Sequence, residues 1–294
     1  MGKVVLAGGT GFIGQFFEKE FKKRGDTVYI ISRRAGHISW EDHKGIREAL
    51  EGAELLINLA GKSVNCRYNE SNRREIMESR KRTTTILGEA LQACTEPPKL
   101  WINSSTATIY RHAEDRPMTE VTGEIGTGFS VDVAKAWEEV FFSFSPERTR
   151  QVALRIAIVL GKEGGVMTPY LYLTRFGLGG KQGLGTQKFS FIHVEDLFRI
   201  VLFIQQREDL SGVFNASAPY PVSNEKLMKE MRRNMHVPAG IPAPKWMLEM
   251  GAMLIRTETE LILKSRWVEP ERLLQEGFDF HYPTIEDTLG AILE

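Results

Sequence analysis

The chain has 294 residues, in which 38 lysines and arginines are balanced by 38 aspartates and glutamates. That length suffices for one large α/β unit with an elaborated end, or for two modest domains around a shared cleft, without the staples that small domains need. A formal charge of zero removes the long-range field that gathers nucleic acid or an anionic membrane surface, so a small molecule is the expected partner.

Lys3 to Ala7 is a short apolar run with no basic segment or small-residue cleavage site before it, and no apolar stretch of the chain is long enough to span a bilayer. A cytoplasmic protein without a membrane partner is the expectation. Glycines follow, and then Phe12, Ile13, Phe16, Phe17 and Phe21 recur at helical spacing up to Arg24. Thr27 to Ser32 is β-branched and apolar, as a buried parallel strand requires. The alternation continues with a helix over 45–52, a strand over 54–59, a long helix over 72–94, a strand over 100–104, a helix over 131–142 and one strand over 151–159. Cys66 and Cys94 are too few for a disulfide framework and lack companions at zinc spacing, which predicts ordinary buried thiols in a reducing compartment.

Gly161 to Gly185 is glycine-rich and reads as a cleft loop with a short helix, the loop region extending to residue 190. A helix over 193–206 and a strand over 212–216 follow. Val237 to Pro244 is a proline-rich connector, with two helical segments and a polar tail beyond it. The expected fold is α/β: a Rossmann doubly wound parallel sheet over residues 1–218, with a smaller C-terminal lobe over 219–294. Such a sheet places its ligand at the carboxyl ends of the strands.

Gly8-Gly9-Thr10-Gly11-Phe12-Ile13-Gly14 stands between a strand and a helix, the context in which a glycine turn cradles a pyrophosphate. The opening helix offers unpaired N–H groups and a positive dipole end to the phosphates. The second strand closes on Ser32-Arg33-Arg34 and has no carboxylate for the ribose hydroxyls of NAD(H). A guanidinium beside a serine hydroxyl suits a 2′-phosphate instead, so NADP(H) is the expected cofactor.

These residues, with Asn58-Leu59-Ala60-Gly61 and Asn103-Ser104-Ser105-Thr106-Ala107-Thr108-Ile109-Tyr110, resemble the extended short-chain dehydrogenase/reductases, relatives of the nucleotide-sugar epimerases. Glu75 with Ser79-Arg80, Leu178-Gly179-Gly180, Phe191-Ile192-His193, Asn215 to Pro219, and Glu269-Pro270 with Arg272-Leu273 narrow the likeness to the atypical YfcH-like branch of epimerase family proteins. The resemblance runs over essentially the whole chain. It implies a bound NADP(H) touching Thr10, Phe12, Ile13, Ser32, Arg33, Leu59, Ala60, Glu75, Arg80 and Val159.

In that superfamily a tyrosine performs the acid–base step, helped by a lysine four positions later. None of the seven tyrosines here has a lysine at that spacing. Without a nearby cation a phenol with a pKa near 10 is a poor base at neutral pH. The candidates to replace the pair are Ser105 and Tyr110, which otherwise cap a turn and fill space. Lys135 reads as a solvated helix charge, His193 and Asp196 as a loop anchor and a first-turn carboxylate, and Arg155 as either a buried ion-pair member or a cleft residue.

Two functions fit the sequence. One is an NADP(H)-dependent oxidoreductase or epimerase acting on a small polar metabolite. The other is a catalytically silent NADP(H)-binding sensor or scaffold. Oligomeric state is open, a homodimer included, and nucleic acid is disfavoured by the neutral charge.

Overall fold

The computed structural model describes residues 2–162, 164–244, 246–248 and 263–294. Its first half alternates β1 (Lys3–Ala7), α1 (Phe12–Lys23), β2 (Thr27–Ile31), α2 (His43–Leu50), β3 (Leu55–Asn58), α3 (Glu70–Gln92), β4 (Leu100–Thr106), α4 (Phe129–Ser143) and β5 (Arg150–Ile156). The second half contributes β6 (Ile158–Leu160), α5 (Met167–Arg175), β7 (Lys188–Phe189), β8 (Phe191–His193), α6 (Val194–Gln206), β9 (Gly212–Ala216), β10 (Val222–Ser223) and α7 (Asn224–Asn234). Two further helices, α8 (Glu271–Gln275) and α9 (Ile285–Leu293), lie near the end of the chain. Among the described residues no helix is long and apolar enough to cross a membrane.

Six strands pair in parallel in the order β2-β1-β3-β4-β5-β9. Strand direction fixes which side chains meet which helices, because successive residues face opposite sides. Val4, Leu6, Leu55, Ile57, Leu100, Ile102, Val152 and Leu154 share one face with Phe17 and Phe21 of α1 and with α6. Val5, Ala7, Leu56, Trp101 and Ala153 share the other with α2, α3 and Phe141 of α4. Both faces are therefore dry, which is why the strands read as continuous apolar runs.

The order of strands reverses between β1 and β3. Loops leaving the carboxyl ends of these two strands diverge, and a crevice opens there. Gly8 sits at that point with φ +78°, and a Cβ on it would come within 2.7 Å of the Ala60 backbone. Only glycine satisfies both the left-handed backbone and the close approach of the two loops.

Two expectations from the sequence need correction. The run 151–159 is not one strand: β5 stays in the main sheet beside β9, whereas β6 pairs in parallel with β8 in a separate two-stranded sheet. The break falls at Ala157, whose N–H still donates to Ala216 while the Ile158 N–H turns to Ser190. Apolar composition is continuous across the break, so it leaves no periodic signal. The expected polar tail is instead α9, opened by a Thr284/Asp287 capping box and burying Ile285, Leu289 and Ile292.

Beyond the sheet, a second core gathers Leu160, Met167, Phe189, Phe191, Leu227 and Met231 with the buried face of α9. The chain around α8 returns to the first half: before it Val268 bridges Met118, and Leu273 of α8 with Phe278 and Phe280 after it enter the core beside α6. Part of the region where two helical segments were expected, 249–262, lies outside the described residues.

Candidate functional site

At the reversal point of the sheet lies a cavity of about 450 Å³. The glycine turn (Gly8, Thr10, Gly11), the end of β2 (Ser32, Arg33), the loop after β3 (Leu59, Ala60, Gly61) and Glu75 of α3 all line it. A similar hollow of about 490 Å³, with Glu54, Lys99 and Arg150 on its walls, sits at the amino ends of the strands, and among the described residues no glycine or first-turn helix residue lines it.

Gly11 is informative about what the first cavity holds. It is the N-cap of α1, in ordinary extended backbone with φ −81° and ψ 174°, and no side chain caps the helix. Apart from its immediate chain neighbours, a Cβ at Gly11 would meet no atom of the described residues within 4 Å. Neither backbone strain nor packing within the chain demands glycine there. Gly11 lines the cavity, so the uncapped start of α1 borders that space, and a helix start is the place a phosphate takes.

The expected contacts that do not line the cavity act behind it. Gly14 packs so closely on the turn that a Cβ would lie 2.5 Å from the Gly9 Cα. Phe12 covers Gly161, Gly164 and Gly165, and a Cβ on Gly165 would also meet the Val159 carbonyl, so Phe12 and Val159 are neighbours at the far end of the turn. Ile13 and Val159 both pack against the core beneath. Arg80 lies under Gly61, donates to the carbonyls of Lys62 and Ile76 at 3.1 Å, and covers the Trp137 ring at 4.9 Å. Burial draws its pKa down to about 10. Glu75 is held by Lys62 at 2.6 Å, which keeps its carboxyl below the ordinary range.

Sequence reasoning missed several groups here. His37 Nδ1 is 2.8 Å from the Ser32 hydroxyl, which also accepts from the Arg34 N–H at 3.0 Å, so the hydroxyl is fixed at the β2 end of the cavity. Trp40, Glu41, Lys62, Glu78, Ser79, Arg82 and Thr83 also line the wall. None belongs to a glycine motif, and the turn of the chain after β2, the loop after β3 and the pitch of α3 bring them together.

Ser105 and Tyr110 belong to a second constellation. Register across the sheet aligns Ser105, Arg155 and Asn215 on β4, β5 and β9. Arg155 donates from Nε and Nη2 to the Glu138 carboxylate at 2.9 and 2.8 Å, a two-pronged ion pair between β5 and α4. The Ser105 hydroxyl donates to the same carboxylate at 2.5 Å. Tyr110 is 1% exposed; its hydroxyl donates to Asn215 Oδ1 at 2.9 Å and accepts from Arg155 Nη1 at 2.9 Å. Burial raises the phenol pKa, and the adjacent guanidinium offsets this only in part.

The remaining candidates are placed as follows. Lys135 is exposed on α4. His193 caps α6, accepting from the Glu195 N–H at 3.3 Å, and its ring lies 4.0 Å from that of Tyr282. Asp196 is fully buried and accepts from the N–H groups of His281 and Tyr282, tying the C-terminal segment to α6. Cys66 and Cys94 are free and half-buried rather than fully buried.

Comparison with known proteins agrees with this architecture. Epimerase family protein YfhF of Bacillus subtilis is 30% identical, the alignment covering 99% of this chain and 97% of that protein. The crystal structure of human epimerase family protein SDR39U1 with NADPH is 29% identical and superposes with a TM-score of 0.90, covering 99% of this chain and 98% of that one. A nucleoside-diphosphate sugar epimerase from Corynebacterium glutamicum is 27% identical with a TM-score of 0.79, over 99% of this chain and 57% of that chain. Residues 243–292 match DUF1731, a domain of unknown function. Residues 4–217 match the NAD dependent epimerase/dehydratase family, and to that family the chain belongs.

Proposed function

We propose that this protein binds NADP(H) in the cavity between the Gly8–Gly14 turn and Ser32-Arg33, and acts as an epimerase or oxidoreductase on a small polar metabolite. The observation that carries the cofactor reading is the start of α1, which no side chain caps and whose N-cap Gly11 lines the cavity with Gly8, Thr10, Ser32 and Arg33. The residues present fit the group. The first amides of α1 would hold the pyrophosphate, Ser32 and Arg33 the phosphorylated ribose, and Leu59 to Gly61 would close the opposite wall. The human relative with 29% identity was crystallised with NADPH, which supports the same choice here.

When bound, the nicotinamide supplies a hydride donor or acceptor. Ser105 and Tyr110 are the proposed groups of this chain that serve the chemistry, with different roles. Ser105 spends its proton on Glu138, which leaves its oxygen lone pairs to receive a substrate hydroxyl. Tyr110 holds Arg155 and Asn215 in place and keeps its own proton at neutral pH, since burial raises its pKa. It is therefore a positioning residue. A silent cofactor-binding protein remains the second reading, favoured by the way both hydroxyls are already engaged within the chain.

Calorimetry with NADPH and NADH tests the cofactor reading. Arg33→Asp is expected to weaken NADPH by at least about tenfold and NADH little; equal loss of both would refute the assignment of Arg33. Absorbance of reduced nicotinamide, followed with nucleotide sugars, quinones and carbonyl compounds, tests turnover. Steady consumption that Ser105→Ala abolishes supports the enzyme; tight NADPH binding without consumption across the panel supports the silent protein.

A further inference from the structure

The wall of the cavity around Arg33 contains an acid that the end of β2 lacks. Glu41 comes from the loop after Trp40 and lines the same space as Ser32 and Arg33. A carboxylate near an adenosine ribose ordinarily favours free hydroxyls and repels a 2′-phosphate. Here the Glu41 carboxylate is engaged on both oxygens: Arg82 of α3 lies 3.1 Å from Oε1, and the Ser39 hydroxyl donates to Oε2. Glu78 stands one helical turn before Arg82 on α3 and also lines the cavity. Arg33 makes no ion pair among the described residues and is exposed.

We infer that the Glu41–Arg82 pair determines selectivity for the 2′-phosphate, Arg82 cancelling the acid that would otherwise turn the wall toward NADH. The inference rests on the cavity being the NADP(H) site. Charge on the wall makes the case. Arg33, Lys62 and Arg82 face Glu41, Glu75 and Glu78, so loss of Arg82 leaves a net negative wall and loss of the Glu41 charge a net positive one. The pair itself is 63% and 72% exposed, and such a pair contributes little to folding. Its removal therefore leaves the fold in place and changes the field that a phosphate dianion meets.

Binding of NADPH and NADH to the full chain is measured for wild type, Arg82→Ala, Glu41→Gln and the double variant at low and high salt. Arg82→Ala is expected to lower the preference for NADPH over NADH roughly fivefold, and Glu41→Gln to raise it by a similar factor, both effects shrinking as salt rises. The double variant is expected to return toward the wild-type preference, which loss of packing at Arg82 would not do. If wild type binds NADPH but the preference moves in none of the variants, or the double variant stays as low as Arg82→Ala, the inference is overturned while the cofactor site stands. If wild type binds neither nucleotide, the cofactor site itself is lost and this inference with it.

Discussion

Tyr110 illustrates how much one hydroxyl can hold. It closes a circuit from Asn215 on β9 through Arg155 on β5 to Glu138 on α4, and Asn215 in turn donates to the Glu269 carbonyl of the C-terminal segment at 3.0 Å. Tyr110→Phe keeps the ring and its contact with the guanidinium 5.0 Å away, yet strands a buried amide oxygen. The expected cost is about 1–3 kcal/mol in urea unfolding. A change below the error of the measurement would show that solvent or a rearranged Asn215 replaces the phenol. His193 offers a test by pH. Burial of its ring holds its pKa below the ordinary 6.5. The unfolded chain then binds the proton first, so the stability due to neutral His193 is complete above about pH 6.5 and is lost as pH falls toward the folded value. His193→Asn retains an N-cap acceptor and should flatten the loss of stability between about pH 7 and 5. Equal slopes for both proteins would assign the acid sensitivity to another group.

At the level of elements, the turn and α1 contain two glycines with opposite reasons for being there. A Cβ at Gly14 would collide with the Gly9 backbone, so α1 cannot stay seated on the turn. Gly14→Ala is expected to cost about 1–3 kcal/mol of stability and to abolish NADPH binding together. A Cβ at Gly11, its chain neighbours aside, meets nothing among the described residues. Gly11→Ala should therefore cost no more than about 1 kcal/mol, the lost preference for glycine over alanine at an N-cap, while weakening NADPH about tenfold or more. Thermal melts and calorimetry on the two variants separate what the protein requires from what the ligand requires. Equal binding by Gly11→Ala and wild type would remove the main support for the cofactor site.

The whole molecule is stitched by its C-terminal segment. Phe278 packs against Phe203 and Phe280 with ring centroids 5.4 and 4.7 Å away, inside the core that β1, β3 and β4 share with α1 and α6. Buried Asp196 fixes the following turn through His281 and Tyr282. Phe278→Ala is expected to lower the stability of the entire chain by about 3–5 kcal/mol, in a single transition seen alike by tryptophan fluorescence and circular dichroism. Two separated transitions would show that the end of the chain melts as an independent lobe.

Local pattern accounts for much of the molecule. The alternation of strands and helices, the glycine turn and Ser32-Arg33 were legible because each depends on neighbours within one strand-turn-helix unit, where backbone geometry and burial dictate residue type directly. The division of 150–160 between two sheets was not, since an apolar run looks the same whichever strands it joins. The partners of the candidate residues were hidden for a related reason. Glu138 lies 33 residues from Ser105, and Asn215 lies 105 from Tyr110. Glu41 and Arg82 are 41 residues apart. Sequence by itself determined the class of fold and the glycine turn that the cavity is built on; sheet register and helix pitch decided which charges meet there, because electrostatic partnership depends on distance in space and leaves no period along the chain.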